Sequence, residues 1–113
     1  MGDRIACFKA YDIRGRVPDD LNEARAYTIG RAYAAEVQPE GPVAVGRDNR
    51  LTSKDLSDAL IRGLNEGGVD TRELGVCGTE VVYFASSREN MGGGVMVTAS
   101  HNPMDYNGMK FVR

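Results

Sequence analysis

The sequence predicts an α/β domain built on a largely parallel sheet, and three observations predict it. Short apolar runs that read as strands alternate with stretches whose apolar residues recur at helical spacing. The first two runs end in glycine next to charged residues, so polar groups collect just past the strands. The length of 113 residues suits one domain, with no room for a second of ordinary size, and 1–113 is read as a single unit.

The elements follow in order. "IACFKAYDI" is a β-branched and aromatic run predicted to end in a turn at Arg14-Gly15. After the Pro18-Asp19-Asp20 loop, Ala26, Ile29, Gly30, Tyr33, Ala34 and Val37 form one apolar stripe of a first helix, which stops before Pro39. "PVAVGRD" is a short apolar run of the kind found in buried parallel strands. Thr52 with Asp55 resembles a capping box, and Leu56, Ala59, Leu60 and Leu64 carry a second helix as far as Gly67-Gly68. "DTRELGV" and "GVMVTA" are the third and fourth strands. Between them "TEVVYFASSRE" reads as a helix with Thr79 as N-cap, although its β-branched and aromatic residues also suit a strand. Asn107-Gly108 is a tight-turn signal, from which "MKFVR" returns as a hairpin strand beside "VMVTA".

Composition removes several functions. With 42% hydrophobic and 27% charged residues the chain reads as globular. A net charge of −2 gives no basic signature for nucleic acid, so any attraction for anions is local. Cys7 and Cys77 are far apart, form no metal-binding pattern with the single histidine, and read as reduced thiols. No run reaches membrane-spanning length and the start is charged too early for a signal peptide, which makes the cytoplasm the expected location.

Residues just past the strands are the candidates for function, because ligands of open α/β sheets gather at the carboxyl ends. These are Tyr11, Asp12 and Arg14 after the first strand, Arg47, Asp48 and Arg50 after the second, and Ser100, His101 and Asn102 after the fourth, with Lys110 following the last turn. Each alone has a plain reading: Arg47-Asp48 as a surface ion pair, Lys110 as a solvated charge, Ser100 as a cap for the Asn102-Pro103 turn. Together they read as a site for a phosphate-bearing ligand, since arginine and lysine match phosphate oxygens. A serine hydrolase is excluded on two grounds. No G-x-S-x-G elbow surrounds Ser100, and His101, adjacent in an extended segment, points away from it. A serine oxygen carrying a phosphoryl group remains.

Three separated motifs carry a resemblance. "TASHNPMDYNGMK" resembles the active-site serine loop of the α-D-phosphohexomutases, and "FKAYDIRG" and "GRDNR" are similar to that family's first two N-terminal motifs. "GTEVVYFA" is similar to the bacterial phosphomannomutase branch that feeds GDP-mannose synthesis. The resemblance implies a three-layer α/β/α first domain with a mostly parallel mixed sheet, belonging to a four-domain enzyme whose later domains pack on it. It implies interconversion of hexose 6-phosphate and 1-phosphate, chiefly of mannose, through a hexose 1,6-bisphosphate, with Mg2+. By position Ser100 is then the phosphoserine and, through its phosphate, one Mg2+ ligand. Lys110 and Arg14 lie near the transferring group, Tyr11 sits against substrate, and His101 orients the loop or the sugar. Arg47 and Asp48 brace the serine loop. The remaining machinery belongs to later domains, so the chain alone is expected to be inactive. Three alternatives stay open: a phosphoglucomutase or dual-specificity enzyme, a phosphosugar-binding module that is never phosphorylated, and a purely structural domain.

Overall fold

A computed structural model describes residues 12–88, 90–98 and 106–112. Five strands form one sheet in the order β1-β5-β4-β2-β3. They are β1 (Asp12–Arg16), β2 (Val43–Arg47), β3 (Thr71–Val76), β4 (Gly93–Val97) and β5 (Tyr106–Val112). The helices are α1 (Glu23–Val37), α2 (Leu51–Glu66) and α3 (Thr79–Ser86). β2 runs parallel to β3 and β4, while β5 is antiparallel to both β4 and β1, so β5 alone is reversed. The predicted largely parallel sheet and its three layers are observed.

The strand order dictates the layers. Passing from β1 to β2 and from β2 to β3 moves across the sheet in one direction, and passing from β3 to β4 reverses it. Because parallel crossovers are right-handed, α1 and α2 share one face and α3 takes the other. Strand alternation sorts the core the same way. Val43, Val45, Val95, Val97, Met109 and Phe111 meet Leu56, Leu60, Leu64 and Tyr33 on the first face. A smaller cluster of Val82, Met96 and Val112 forms under α3, joined by Leu74 and Cys77.

α1 starts where Asn22 caps it, its side chain accepting from Arg25 N at 2.9 Å, and ends as Gln38 turns left-handed before Pro39. Its predicted stripe is the observed one, with Ala26, Gly30, Tyr33 and Ala34 buried and Ile29 and Val37 half-buried against the core. The two helices approach so closely that a side chain at Gly30 would strike the Leu60 carbonyl, and one at Gly63 the Tyr27 carbonyl. "TEVVYFAS" is helical, as expected, because Val82 and Ser86 recur four apart on the side it buries.

Four boundaries differ from expectation. Arg14-Gly15 is inside β1 rather than in a turn; Gly15 is required because Asp20 folds over it, 2.7 Å from where a Cβ would stand. Asn107-Gly108 is inside β5, and neither residue has the positive φ that a two-residue hairpin turn demands. The return strand is real, and the connection that precedes it, 99–105, lies outside the described residues. α2 begins at Leu51, not after Thr52, and Arg50 at its N-cap makes no side-chain cap bond. Likewise Gly78, not Thr79, is the N-cap of α3. The first strand before Asp12, including Cys7, also lies outside the described residues.

Candidate active site

At the carboxyl edge of β2 and β4 a polar network replaces the surface ion pair that Arg47-Asp48 suggested. Asp48 follows β2, and its N–H donates to the Val97 carbonyl at 3.1 Å. Its Oδ1 accepts from Arg50 N at 3.1 Å and from the Ser53 hydroxyl, and its Oδ2 accepts from Thr98 Oγ1 at 2.7 Å. Arg50 Nε lies 3.5 Å from the same oxygen, with 11% of its side chain exposed. A single carboxylate thus ties the N-cap residue and the first turn of α2 to Thr98, the residue that follows β4.

Asn107 continues the network from the other side. It is fully buried, a placement that a polar side chain tolerates only when its hydrogen bonds are made. Its Nδ2 donates to Thr52 Oγ1 at 2.8 Å and to Ser53 Oγ at 2.9 Å, and its Oδ1 accepts from Gly108 N at 2.8 Å. Arg50 Nη1 donates to the Tyr106 carbonyl at 3.3 Å. Thr98 and Tyr106 flank 99–105, so the network grips the chain where it enters that segment and where it leaves. Ser100 and His101 lie outside the described residues, as do Asn102 and Tyr11. Sequence reasoning assigned Asp48 to bracing this loop but passed over Asn107. The signal was there, since a buried asparagine and a turn asparagine look alike in "NG".

Arg14 and Lys110 are not at the strand ends. β1 and β5 pair with Asp12 opposite Lys110, Arg14 opposite Gly108 and Arg16 opposite Tyr106. Facing residues project to the same side of a sheet, so Arg14, Arg16 and Lys110 share one surface, Arg14 and Lys110 being diagonal neighbours about 7–8 Å apart. Lys110 Nζ stands 5.7 Å from the centre of the Tyr83 ring of α3, and the Arg16 guanidinium 5.5 Å from that of Tyr106. This is the face that carries α3, but α3 packs chiefly on β2 and β4 and reaches β5 at Val112 and Lys110, leaving the β1 side of the β1–β5 ribbon open. Arg14, Arg16 and Lys110 are exposed on it. Gly108 explains itself here, because a side chain on it would collide with the Ile13 carbonyl and the Arg14 side chain. The arrangement offers fixed cations to an anion, which suits phosphate.

At the other end of the edge, Arg47 Nε is buried with no hydrogen-bond partner among the described residues. Cys77 is half-buried; burial pushes its thiol up, against a smaller lowering by its hydrogen bond to the Arg47 backbone. Among the described residues no three His, Cys, Asp or Glu side chains are grouped to hold a metal, and no helix is long and apolar enough to cross a membrane. Asp48 accepts from Arg50, Ser53 and Thr98 and has little left to offer a cation.

Known proteins carry the same domain. Residues 6–113 match the family model described as phosphoglucomutase/phosphomannomutase, alpha/beta/alpha domain I. The chain is 58% identical over 109 residues to the phosphohexose mutases of Xanthomonas campestris pv. campestris (strain B100), covering 96% of this chain and 24% of that protein. It is 54% identical over 110 residues to a phosphomannomutase of Klebsiella pneumoniae, covering 97% of this chain and 69% of that one. The crystal structure of a phosphoglucomutase/phosphomannomutase family protein from Burkholderia thailandensis superposes with a TM-score of 0.85 at 42% identity, over 90% of this chain and 24% of that one. The chain therefore spans about a quarter of the Xanthomonas relative. With fold, order of motifs and family model agreeing over nearly every residue, the chain belongs to the phosphoglucomutase/phosphomannomutase family.

Proposed function

We propose that this chain is the phosphoserine-bearing domain of a phosphohexomutase that interconverts mannose 6-phosphate and mannose 1-phosphate. The observation that carries the reading is the open β1–β5 ribbon. Arg14 and Lys110 sit there as diagonal neighbours on β1 and β5, and β5 is the strand that follows the serine-bearing segment. Ser100 carries the phosphoryl group. Its P–O bond to the serine oxygen breaks as a new one forms to a sugar hydroxyl, and the hydroxyl proton ends on the departing serine oxygen, with Lys110 as the acid–base partner beside the transferring group; the resulting hexose 1,6-bisphosphate turns round and returns its other phosphate to Ser100. Arg14 offsets the charge that spreads over the transferring group, Tyr11 lies against the sugar, and His101 orients it.

The chain's donor set fits Mg2+ only in part. A phosphate oxygen on Ser100, itself outside the described residues, would supply one ligand and further domains the others, and the ion when bound would neutralise phosphoryl charge. The sugar-recognition and distal phosphate sites belong to further domains, in keeping with the quarter of the Xanthomonas relative that this chain covers. The 113-residue chain alone then has no measurable turnover, and mutase activity in it at the rate of a full-length relative would refute that. The phosphomannomutase name of the Klebsiella relative supports mannose. The broader name of the Xanthomonas one keeps glucose phosphates as a second reading.

A chimera tests this, with the chain substituted for the matching segment of the Xanthomonas protein. Incubation with mannose 1,6-bisphosphate should add one phosphate to the peptide containing Ser100, by mass, and Ser100→Ala should abolish both that and turnover. A chimera that binds sugar phosphate yet never carries phosphate on Ser100 would make the domain a binding module. The ratio of kcat/KM for mannose 1-phosphate to that for glucose 1-phosphate decides the sugar.

A further inference from the structure

The serine-bearing segment runs between β4 and β5, and its two flanks meet the same helix end. On the entry side, Thr98 Oγ1 donates to Asp48. On the exit side, Asn107 donates to Thr52 and Ser53, the second and third residues of α2, and Ser53 passes its own hydroxyl proton towards Asp48. Asn107 is thus the link through which the exit flank reaches the helix end that holds the entry flank. Both of its amide hydrogens are used, and its oxygen holds the next backbone N–H at 2.8 Å. Ser53 and Asn107 are both fully buried, so the bonds form without competition from water.

We infer that Asn107 is a positioning residue for phosphoryl transfer: it fixes the separation of the two flanks of 99–105, and with it the place of the serine oxygen relative to Arg14 and Lys110. The inference rests on the Ser100 reading for its chemistry, but not for its structural content. Hydrophobic burial at this position would suit a leucine or methionine as well. The chain instead buries an amide, whose cost is offset only by hydrogen bonds, and each of these requires its partner in a fixed direction. An error of about an ångström at a reacting atom is enough to slow a positioned reaction about a hundredfold, so this small network bears on rate.

Two measurements decide it. In the full chain, amide exchange is compared for wild type, Asn107→Ala and Thr52→Val, the last removing one of the two bonds at constant shape. Peptides covering 99–106 should exchange at least about tenfold faster in Asn107→Ala, as expected when both hydrogen bonds to α2 are lost, and about threefold faster in Thr52→Val. Peptides from β2 and α1 should not change. Unchanged exchange in 99–106, or a rise shared equally by β2 and α1, overturns the inference, because Asn107 would then be idle or merely stabilising. If Asn107→Ala does not fold, Thr52→Val decides alone. In the chimera, Asn107→Ala should lower the maximal rate of Ser100 phosphorylation at least about tenfold while leaving the half-saturating bisphosphate concentration within about threefold, the split expected when alignment rather than binding is lost. An unchanged maximal rate also overturns it. A wild-type chimera that takes no phosphate refutes the Ser100 reading instead, and the exchange result then stands or falls by itself.

Discussion

The two faces of the sheet are covered differently. α1 and α2 close one face completely: sixteen fully buried apolar residues form a single cluster there, and Tyr33 stacks on Phe111 with ring centres 5.1 Å apart. α3 is a helix of eight residues on the other face, where it covers Met96 and the Val112 end of β5 and leaves Arg14 and Arg16 of β1 exposed. The closed face is built on close packing, and the open face carries the cations that the proposed function uses. Substitutions should therefore cost stability on the first and function on the second.

The largest loss is expected where the closed face is tightest. Gly63→Val inserts a branched side chain against the Tyr27 carbonyl and the Arg31 backbone, neither of which can yield without separating α1 from α2. We expect more than about 3 kcal/mol, at the upper end of overpacking costs. Urea unfolding with a midpoint close to wild type would show that the helices have slack. A matched pair then sharpens the comparison. Leu60→Ala should cost about 4 kcal/mol and Met96→Ala about 2, both within the range for emptying a core site, the second lower because the cluster under α3 is smaller and freer to collapse. Equal losses would mean that the faces are packed alike.

Much of the closed face was legible in the sequence, and for a plain reason: its helices bury one stripe each, so period 3.6 shows in Ala26, Gly30, Tyr33 and Ala34 and in Leu56, Ala59, Leu60 and Leu64. The open face was legible only as a set of residue types. Arg14 was expected just past a strand and Lys110 just after a turn. They lie within strands because Gly15 and Gly108, which read as turn residues, serve close approach instead. Glycine reports that something is near, without saying whether it is a turn or a neighbour. The capping box at Thr52 failed for a related reason: its hydroxyl is engaged by Asn107, 55 residues away, and no local pattern carries that information. Ser100, His101 and Tyr11, carried by motif alone, lie outside the described residues.

Between the two faces stands the carboxyl edge, where the loss should be intermediate. Asp48→Ala leaves the Ser53 and Thr98 hydroxyls and the Arg50 N–H without their shared acceptor. Stability should fall by about 2 kcal/mol, the cost of buried donors left unsatisfied. A change under half of that, in the same urea titration, would mean that water substitutes for the carboxylate and that the network is open.

Cys77 gives a smaller, pH-dependent effect on the α3 side. Burial raises its thiol, so the folded protein keeps that proton to higher pH than the unfolded chain does. The unfolded form therefore loses its proton first. The stability involved is fully present below the ordinary thiol range and falls as pH climbs through it. Wild type should lose slightly more stability than Cys77→Ala between pH 7 and pH 10. Parallel losses would mean that the thiol is as well solvated folded as unfolded.

The smallest expected change in stability belongs to the ribbon, and it is the most informative. Arg14→Ala and Lys110→Ala remove exposed charges, and surface changes of this kind stay within about 0.5 kcal/mol. Among the described residues Lys110 loses an exposed contact with the Tyr83 ring, itself worth about 0.5 kcal/mol. Residues that hold the fold cannot be removed so cheaply, whereas residues kept for a ligand can. Each variant should keep the wild-type unfolding midpoint and lose most of the binding of mannose 1,6-bisphosphate, measured by calorimetry on the chimera. A large shift in midpoint with binding intact would reverse the assignment. It would make the ribbon part of the scaffold, and the contrast between the two faces would then be one of area alone.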